Sequence, residues 1–188
     1  ENDPLSVVAI NGDIKWTTDG LYQYDQKGNF NNLRERETAQ VDFYYTISDG
    51  NLESSATLTV TIIGVNDPPI ATDDFLTIVG GTDSVIVLNT QNESFQHGDY
   101  DPDLGDPFRM ITVNDSDSTT QITSVGTMKW YAEGGYTYIP NADSIIKLKN
   151  GESAVDIFNY VIQDDLGLTD TATLTIRILG INDNPVCQ

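Results

Sequence analysis

The closing segment of this chain occurs twice. Residues 56–67 read ATLTVTIIGVND, and residues 172–183 read ATLTIRILGIND. A Phe-x-Tyr-x-Ile-x-Asp run precedes each copy, at residues 43–49 and again at residues 158–164. Self-similarity at a fixed spacing marks a chain assembled from one supersecondary unit used repeatedly. Tandem repetition is typical of extended extracellular rods and stalks, so it predicts a structural role rather than an active site.

The repeated segments alternate as β-strands do. Leu58, Val60 and Ile62 face one side and the threonines between them face the other, which predicts a half-buried antiparallel strand. The Phe-x-Tyr-x-Ile run before it predicts a partner strand joined by a tight turn. Further strands are predicted at residues 5–10, 13–17, 20–24, 75–79, 84–88, 108–113, 121–125, 127–131 and 136–139. No helix longer than one turn is predicted, so the fold class is all-β, a β-sandwich.

The two copies are unequal in length. The predicted domains are a partial sandwich at 1–67, a proline linker at 68–72, a complete sandwich at 73–183 and an exit linker at 184–188. Copy one starts in the middle of the repeat, because Asp3-Pro4-Leu5 aligns with Asp106-Pro107-Phe108. The first sandwich is therefore expected to lack its N-terminal strands. Three explanations stay open: an excerpt of a longer array, proteolytic removal, or strands supplied by another chain.

Acidic residues dominate the charge. The formal net charge is −20, and 22 of the 29 acidic residues are aspartates. Such a chain repels nucleic acid and anionic membranes, so neither is expected as a partner. Aspartates placed in turns between Val, Ile, Thr and Tyr runs suit a folded protein that binds hard cations through oxygen. The alternative is that aspartate serves only as a turn and solubility residue.

Cysteine and asparagine offer two minor candidate sites. The single cysteine, Cys187, has no intrachain partner and is a candidate for a crosslink between chains, although an incidental thiol is the alternative. Two sequons, at Asn92 and Asn114, are candidate glycosylation sites if the source glycosylates secreted proteins. No apolar run reaches the length of a membrane span, so membrane insertion is not expected.

An ordered set of motifs points to a known family. Copy two carries Asp73-Asp74, an acidic loop at 99–106, Gly-Tyr-Thr-Tyr-Ile-Pro-Asn at 135–141, Gly-Glu-Ser at 151–153, the Phe-to-Asp strand at 158–164 and Gly-Ile-Asn-Asp-Asn-Pro at 180–185. This set resembles the cadherin-like, VCBS-type repeats that occur in tandem in large bacterial surface adhesins. Copy one carries only the second half, with Arg36-Glu37-Thr38 in place of Gly-Glu-Ser. The resemblance implies tandem immunoglobulin-like sandwiches, calcium at loops and joints, and a role in adhesion or spacing.

The densest acidic loop is a candidate calcium site. Its carboxylates recur at nearly alternate positions with a glycine close behind, as in the first half of calcium loops: Asp99, Asp101, Asp103 and Asp106. The bidentate glutamate of an EF-hand is missing, so that particular motif is excluded. The alternative is a solvated acidic turn.

A second candidate site lies at the domain joint. Asn66 and Asp67 end one domain, and Asp73 and Asp74 begin the next. A calcium ion held by both pairs would draw oxygen ligands from two domains and stiffen the rod. The alternative is that Asn66-Asp67 only forms an Asx-turn before the prolines.

Other functions receive less support. Tyrosines and tryptophans that could stack on sugar rings define an alternative, a carbohydrate-binding module: Tyr22, Tyr24, Tyr136, Tyr138, Trp16 and Trp130. Their repetition in both copies favours structural packing instead. His97 is the only histidine, no Ser-His-Asp triad or histidine metal cluster can be argued from it, and an enzyme is not expected.

Together these observations predict an extracellular spacer or adhesion repeat of a cell-surface adhesin or filament. Its cofactor would be Ca²⁺. Its partners would be neighbouring repeats or copies of the same chain, with surface glycans or proteins as further candidates. A second alternative is the subunit of a head-to-tail fibre completed by strand exchange between chains.

Overall fold

The computed structural model describes residues 5–9, 11–79, 86–88, 98–145 and 147–181, with side chains described in 11–79, 98–143 and 147–181. In these residues the elements are almost all strands, and the single helix is one turn long. The first five strands are β1 (Leu5–Ala9), β2 (Gly12–Trp16), β3 (Tyr22–Asp25), β4 (Thr38–Ser48) and β5 (Glu53–Ile63). They are followed by β6 (Asp74–Val79), β7 (Ile86–Leu88), β8 (Phe108–Val113), β9 (Thr120–Ile122), β10 (Gly126–Trp130), β11 (Tyr136–Pro140), α1 (Ala142–Ile145), β12 (Ser153–Asp164) and β13 (Thr169–Leu179). The predicted all-β fold class is confirmed.

The chain divides into two compact units. Unit 1 comprises Glu1–Asp67 together with Pro102–Leu104, and unit 2 comprises Pro68–Asp101 together with Gly105–Gln188. The short segment Pro102–Leu104 is therefore separated in sequence from the rest of unit 1, and contacts rather than chain order assign it there. The predicted linkers at 68–72 and 184–188 stay predictions.

Unit 2 contains two four-stranded sheets. One has the strand order β6-β13-β12-β8 and the other has the order β7-β11-β10-β9. All pairs are antiparallel except β6 with β13, which run parallel. Alternation along β12 and β13 directs one side of each strand into the core, and these side chains are at most 2% exposed: Phe158, Tyr160, Ile162, Leu174, Ile176 and Ile178. Met110 and Val113 of β8, and Ile78 of β6, close this core from the flanking strands.

Two glycines of the repeat are required by close approach of a tyrosine. A Cβ on Gly126 would overlap the ring and hydroxyl of Tyr138, and a Cβ on Gly12 would lie 2.8 Å from the hydroxyl of Tyr24. These are equivalent positions in the two copies. At Gly12 the backbone carbonyl of Asp25 would be closer still, at 2.5 Å, so a side chain has no room at either position.

The departure of copy one from the Gly-Glu-Ser motif leaves the turn intact. Arg36 has φ 65°, in the left-handed region where Gly151 of copy two has φ 87°. In both units the glutamate carboxylate accepts an amide hydrogen bond three residues upstream, from Arg34 to Glu37 at 3.1 Å and from Lys149 to Glu152 at 2.9 Å. The turn is thus built by the glutamate, and arginine tolerates the strained backbone that glycine adopts freely.

Unit 1 has smaller sheets over the described residues. Its sheets are β1-β2-β3 and the two-stranded β4-β5. Although its sequence aligns with β8, β1 pairs with β2 in the way that β9 pairs with β10. The β4-β5 hairpin therefore has no described neighbour on either side, unlike its counterpart in unit 2. Ile14 and Val41 are the buried apolar side chains described in unit 1, while Tyr45 is 48% exposed and Ile47 is 63% exposed. That the first sandwich is only partial stays a prediction.

Candidate metal centre

Two aspartates of unit 2 converge on one tyrosine. Asp74 begins β6, Asp99 lies in the segment before β8, and Tyr160 lies on β12. The Tyr160 hydroxyl is 3.1 Å from Asp99 Oδ2, 3.2 Å from Asp99 Oδ1 and 3.5 Å from Asp74 Oδ2. It is also 2.8 Å from the carbonyl oxygen of Thr72. Residues distant in sequence are brought together because β6 pairs with β13, and β13 pairs with β12.

More oxygen atoms surround the Tyr160 hydroxyl than its single proton can hydrogen-bond to. A phenolic hydroxyl donates one hydrogen bond, and the Thr72 carbonyl is the nearest acceptor. Asp99 additionally accepts the Thr72 amide at 2.7 Å and the Thr72 hydroxyl at 3.2 Å. The site therefore gathers two carboxylates, a carbonyl and two hydroxyls, an oxygen-only donor set of the kind that Ca²⁺ prefers.

Burial and like charge raise the pKa of both carboxyl groups. Burial is the largest cause for Asp74, followed by repulsion from Asp99, and the pKa of Asp74 rises to about 7. Burial also raises the pKa of Asp99, with a smaller contribution from the charge of Asp170. Within the described residues, no lysine or arginine contributes to either shift in pKa. Two half-buried carboxylates of like charge are stabilised by a proton or by a metal ion.

Asp170 is a component that sequence reasoning missed. Its Oδ2 accepts the amide of Ala71 at 2.9 Å, and its charge raises the pKa of Asp99. The counterpart of Asp170 in copy one is Ser54. An alignment of the two copies would have shown that this acidic residue occurs only in copy two. Tyr160, from the repeated Phe-x-Tyr-x-Ile run, also belongs to the cluster.

Asp73 points away from this cluster. Its Oδ1 accepts the Thr173 amide at 2.9 Å and the Thr173 hydroxyl at 2.8 Å. These hydrogen bonds lower the pKa of Asp73, and the side chain is exposed. Of the predicted pair Asp73-Asp74, the structure therefore brings Asp74 to Asp99 and uses Asp73 to tie the start of β6 to β13.

Asp103 belongs to unit 1 and is fully buried. It is 0% exposed, and its Oδ2 accepts the amide of Asp67 at 2.9 Å. The adjacent Leu104 donates its amide to Asn32 at 3.2 Å and accepts the Arg34 Nε–H at 2.8 Å through its carbonyl oxygen. The structure thus brings together two of the predicted ligands, Asp67 and Asp103, through a backbone contact.

The structure also describes the remaining predicted ligands. Asn66, Asp101 and Asp106 are partly buried. Among the described residues, no group of three or more His, Cys, Asp or Glu side chains is arranged to hold a metal. The four-carboxylate loop ion and the bridging ion at the joint therefore stay predictions.

The candidate modification sites are only partly described. Asn92, Cys187 and His97 lie outside the described residues. Asn114 is exposed with φ 50°, and its Oδ1 accepts the amide of Asn159 at 2.9 Å. Glycosylation of either asparagine and crosslinking through the cysteine stay predictions.

Three of the aromatic residues proposed for sugar stacking lie in the core. Trp130 is 4% exposed, Tyr136 is 2% exposed and Tyr138 is 0% exposed. The Trp130 indole donates to the carbonyl of Ser118 at 2.9 Å, and the Tyr138 hydroxyl donates to the buried carboxylate of Asp156. These rings have no free face for a sugar, so the proposal that they stack on carbohydrate is wrong. Tyr22 is exposed.

Without metal, the stability of unit 2 should fall as pH rises. The pKa of Asp74 is raised above its ordinary value of 3.8 to about 7 in the folded state. Its stabilising contribution is therefore fully present below pH 3.8 and is lost as pH rises through about 7. Asp99 and Asp73 both repel the ionised form of Asp74, while Tyr160 hydrogen-bonds to it. Melting unit 2 in chelator between pH 4.5 and pH 8 measures the slope.

The matched controls for this pH prediction are Asp74→Asn and Asp117→Asn. Asp74→Asn should flatten the slope, because it removes the titrating group. Asp117 is exposed, so Asp117→Asn makes the same charge change outside the cluster and should retain the slope. A wild-type slope that Asp74→Asn leaves intact would contradict the assignment to Asp74.

The described residues contain no helix with the length and apolar character needed to cross a membrane. The fold is a tandem of β-sandwich units, and an oxygen-lined acidic cluster lies on the complete unit. These features are those of a cadherin-like β-sandwich repeat. Residues 66–180 match the family model of the bacterial cadherin-like domain, and the chain belongs to that family. Domains of this class are typically extracellular and typically not catalytic.

Solved structures show low sequence similarity to this chain. Protocadherin gamma C5 (extracellular domains 1–3) is 10% identical, with a TM-score of 0.48 over 93% of this chain and 55% of that chain. Protocadherin gamma B7 (extracellular cadherin domains 1–4) is 13% identical, with a TM-score of 0.44 over 98% of this chain and 41% of that chain. A nucleoside hydrolase-related protein from Saccharophagus degradans is 13% identical, with a TM-score of 0.35 over 60% of this chain and 26% of that chain. No curated protein shows significant sequence similarity.

Proposed function

We propose that this chain is a structural spacer and adhesion repeat of an extracellular surface adhesin or filament, and that calcium binding stabilises its complete sandwich. Family membership and tandem repetition support the structural role. The sandwich supplies a rigid module, and its repetition supplies length. The partners are neighbouring repeats or copies of the same chain.

One observation carries the calcium part of this proposal. Asp74 and Asp99 are held half-buried around the Tyr160 hydroxyl, and burial and repulsion from Asp99 raise the pKa of Asp74. Folding such a pair costs free energy unless a positive charge accompanies it. A bound cation would offset the repulsion and the loss of hydration together.

The donor set fits calcium better than other common metals. The carboxylates of Asp74 and Asp99 and the carbonyl oxygen of Thr72 would hold the ion, and water would complete six to eight oxygen ligands. The described atoms that surround the Tyr160 hydroxyl are all oxygen atoms, whereas zinc favours nitrogen and sulfur ligands. Magnesium keeps a strict octahedral shell and gives up its water reluctantly, so it should bind more weakly here.

Thermal unfolding of the 188-residue chain with and without Ca²⁺ tests this proposal. At a free Ca²⁺ concentration about 100 times the Kd, a single site stabilises the folded state by about 2.7 kcal/mol. We expect a higher Tm for unit 2 and slower amide exchange at residues 72–76 and 98–100, where the cluster is built. Mass-spectrometric hydrogen exchange resolves these segments.

The control for this experiment is an equal concentration of Mg²⁺, which should give a smaller effect at the same ionic strength. A general charge-screening effect would instead be the same for both ions and would appear across the whole chain. Unchanged melting and unchanged exchange at millimolar Ca²⁺ would overturn the calcium part of the proposal while leaving the family assignment intact.

A further inference from the structure

Large apolar side chains of unit 2 lie on the outer face of strands β6, β13 and β12, on the side away from the core. Phe75 and Val79 of β6 are 65% and 62% exposed, and Val155 and Ile157 of β12 are 46% and 58% exposed. Strand pairing brings them together, because Phe75 and Ile157 lie opposite the same residue of β13, Thr175, from its two sides. These four residues form one apolar surface, the outer patch.

The sandwich does not need apolar residues at these positions in order to fold. The repeat alignment places Gln40 and Asp42 of β4 at the positions of Val155 and Ile157. Both polar residues are exposed, and β4 still forms its hairpin with β5. The outer patch is therefore a surface property of unit 2, and covering it would remove apolar area from water, which favours a partner.

A basic side chain lies within the outer patch. Arg177 of β13 is exposed, and it lies in register between Thr77 of β6 and Val155 of β12. In the part of the chain that the structure describes, no ion pair includes Arg177. A cation on an apolar surface favours an occupant that brings a carboxylate to it.

The same face of the sheet also carries a carboxylate. Asp73 is exposed and accepts a hydrogen bond from the hydroxyl of Thr173 at 2.8 Å. Thr173 and Arg177 lie two positions before and two positions after Thr175 on β13. At about 3.4 Å per residue, Asp73 and Arg177 are roughly 14 Å apart along the strand, so they cannot pair within one chain. They lie at equal distances on opposite sides of Thr175.

We propose that the outer patch binds a second copy of the chain, sheet against sheet, about a two-fold axis that crosses the strands at Thr175. Such an axis turns β13 end for end, so Arg177 of each copy lies opposite Asp73 of the other. It also places Phe75 against Phe75 and Ile157 against Ile157. An axis along β13 would oppose the two arginines, so charge selects the first arrangement. This inference rests on the proposed partnership between copies of the chain and names its surface.

The size of the outer patch predicts weak association. Three strands spaced about 4.8 Å apart, over residues 173–179 at about 3.4 Å each, give roughly 300 Å² of sheet per copy. Stable complexes bury about 800 Å² per partner. The net charge of −20 on each copy adds a general repulsion. We therefore expect a Kd of about 0.1–1 mM, with contacts that add up where many copies are displayed together.

Methyl NMR spectra of the 188-residue chain test this proposal over protein concentrations that bracket the expected Kd. The methyl shifts of Val79, Val155 and Ile157 should follow one binding curve, and the mass from light scattering should rise toward that of a dimer. Ile122 is the internal control, because it is 80% exposed on the other sheet of unit 2. Its shifts should stay constant.

A matched pair of variants tests the apolar contact. Ile157→Asp introduces the residue that copy one carries at the equivalent position, Asp42, so the fold should tolerate it. It should weaken association about tenfold or more, because it brings two carboxylates together at the two-fold axis. Ile122→Asp makes the same change on the other sheet and should leave the binding curve unchanged.

Charge exchange tests the pairing of Arg177 with Asp73. Arg177→Asp opposes like charges at both ends of the interface and should weaken association about tenfold. Adding Asp73→Arg recreates the opposite charges and should recover most of the affinity. Adding Asp117→Arg to Arg177→Asp gives the same net charge at an exposed position away from the outer patch, and it should recover little.

Three results would overturn the proposal: methyl shifts that are constant at every concentration, shifts that move at Ile122 instead of the outer patch, or equal recovery by Asp73→Arg and Asp117→Arg. Melting of the same samples separates this proposal from the proposed function. A chain that stays monomeric while calcium still raises its Tm would remove the outer patch as an interface and leave the calcium-binding spacer in place.

Discussion

Phe158→Ala should destabilise unit 2 by about 3–5 kcal/mol, the usual cost of truncating a fully buried phenylalanine. Phe158 is 0% exposed, and its ring packs edge-on against Tyr138 with centroids 6.2 Å apart. Its strand, β12, lies inside a four-stranded sheet, between β13 and β8. Because the surrounding side chains are held by the sheet, the cavity cannot fully collapse, and the transfer and cavity costs add.

The chain contains its own matched control at Phe43. Phe43 occupies the equivalent position on β4 and makes the equivalent edge contact with Tyr24, with centroids 5.7 Å apart. It is only partly buried, because the hairpin of unit 1 has no described flanking strands. Phe43→Ala should therefore destabilise unit 1 by less than half the cost of Phe158→Ala. The two variants thus differ in burial and share the aromatic pair.

Denaturant unfolding followed by segment-resolved hydrogen exchange measures both costs in the intact chain. Exchange in β12 and β13 reports unit 2, and exchange in β4 and β5 reports unit 1. Equal losses for the two variants would contradict the structure, because they would mean that the core of unit 1 is as closed as that of unit 2.

Asp74→Asn should change the stability of unit 2 in opposite directions with and without calcium. In chelator the variant should melt above the wild type, since it removes the repulsion between Asp74 and Asp99 that raises the pKa of Asp74. In saturating Ca²⁺ it should melt below the wild type, because one charged ligand is lost. We expect the apparent Kd for Ca²⁺ to rise about tenfold or more, equivalent to about 1.4 kcal/mol.

Two comparisons make this crossover specific to the cluster. Asp117→Asn removes the same charge at an exposed position of unit 2. It should shift the Tm much less than Asp74→Asn does, both in chelator and in calcium. Tyr160→Phe removes a hydrogen-bond donor without changing charge, so it should not stabilise the metal-free protein. If Asp74→Asn destabilises unit 2 equally in chelator and in calcium, the aspartate is a structural hydrogen-bonding residue and the proposed ion is wrong.

The strands and hairpin turns of this fold could be predicted from the sequence because they depend on residues that are neighbours in the chain. Alternation along residues 57–62 and along their repeat identified β5 and β13, and the repeat itself identified the sandwich. The hairpin turns are also local features, because an aspartate in each turn accepts nearby backbone amides. Asp49 accepts the amides of Asn51 and Leu52, and Asp164 accepts those of Leu166 and Leu168. Such short-range hydrogen bonds follow from residue type and spacing.

An alignment of the two copies also shows which segment of copy two has no counterpart in copy one. The position of β1 was not predictable in this way. Its sequence aligns with β8, yet it pairs with β2. Strand pairing is a competition between edges that are distant in sequence, and alternation within one strand does not determine its neighbour.

The sequence by itself determined that this protein is a tandem of β-rich units with an acidic surface, because periodicity, turn residues and net charge are local or additive properties. Only the tertiary structure decided which carboxylates meet. Asp74 reaches Tyr160 through the parallel pairing of β6 with β13, and Asp99 is held beside it by the amide of Thr72. Asp103 is placed in unit 1, beside Asp67. Convergence of charged groups depends on long-range register, and register is fixed when side chains from separate strands pack into one core.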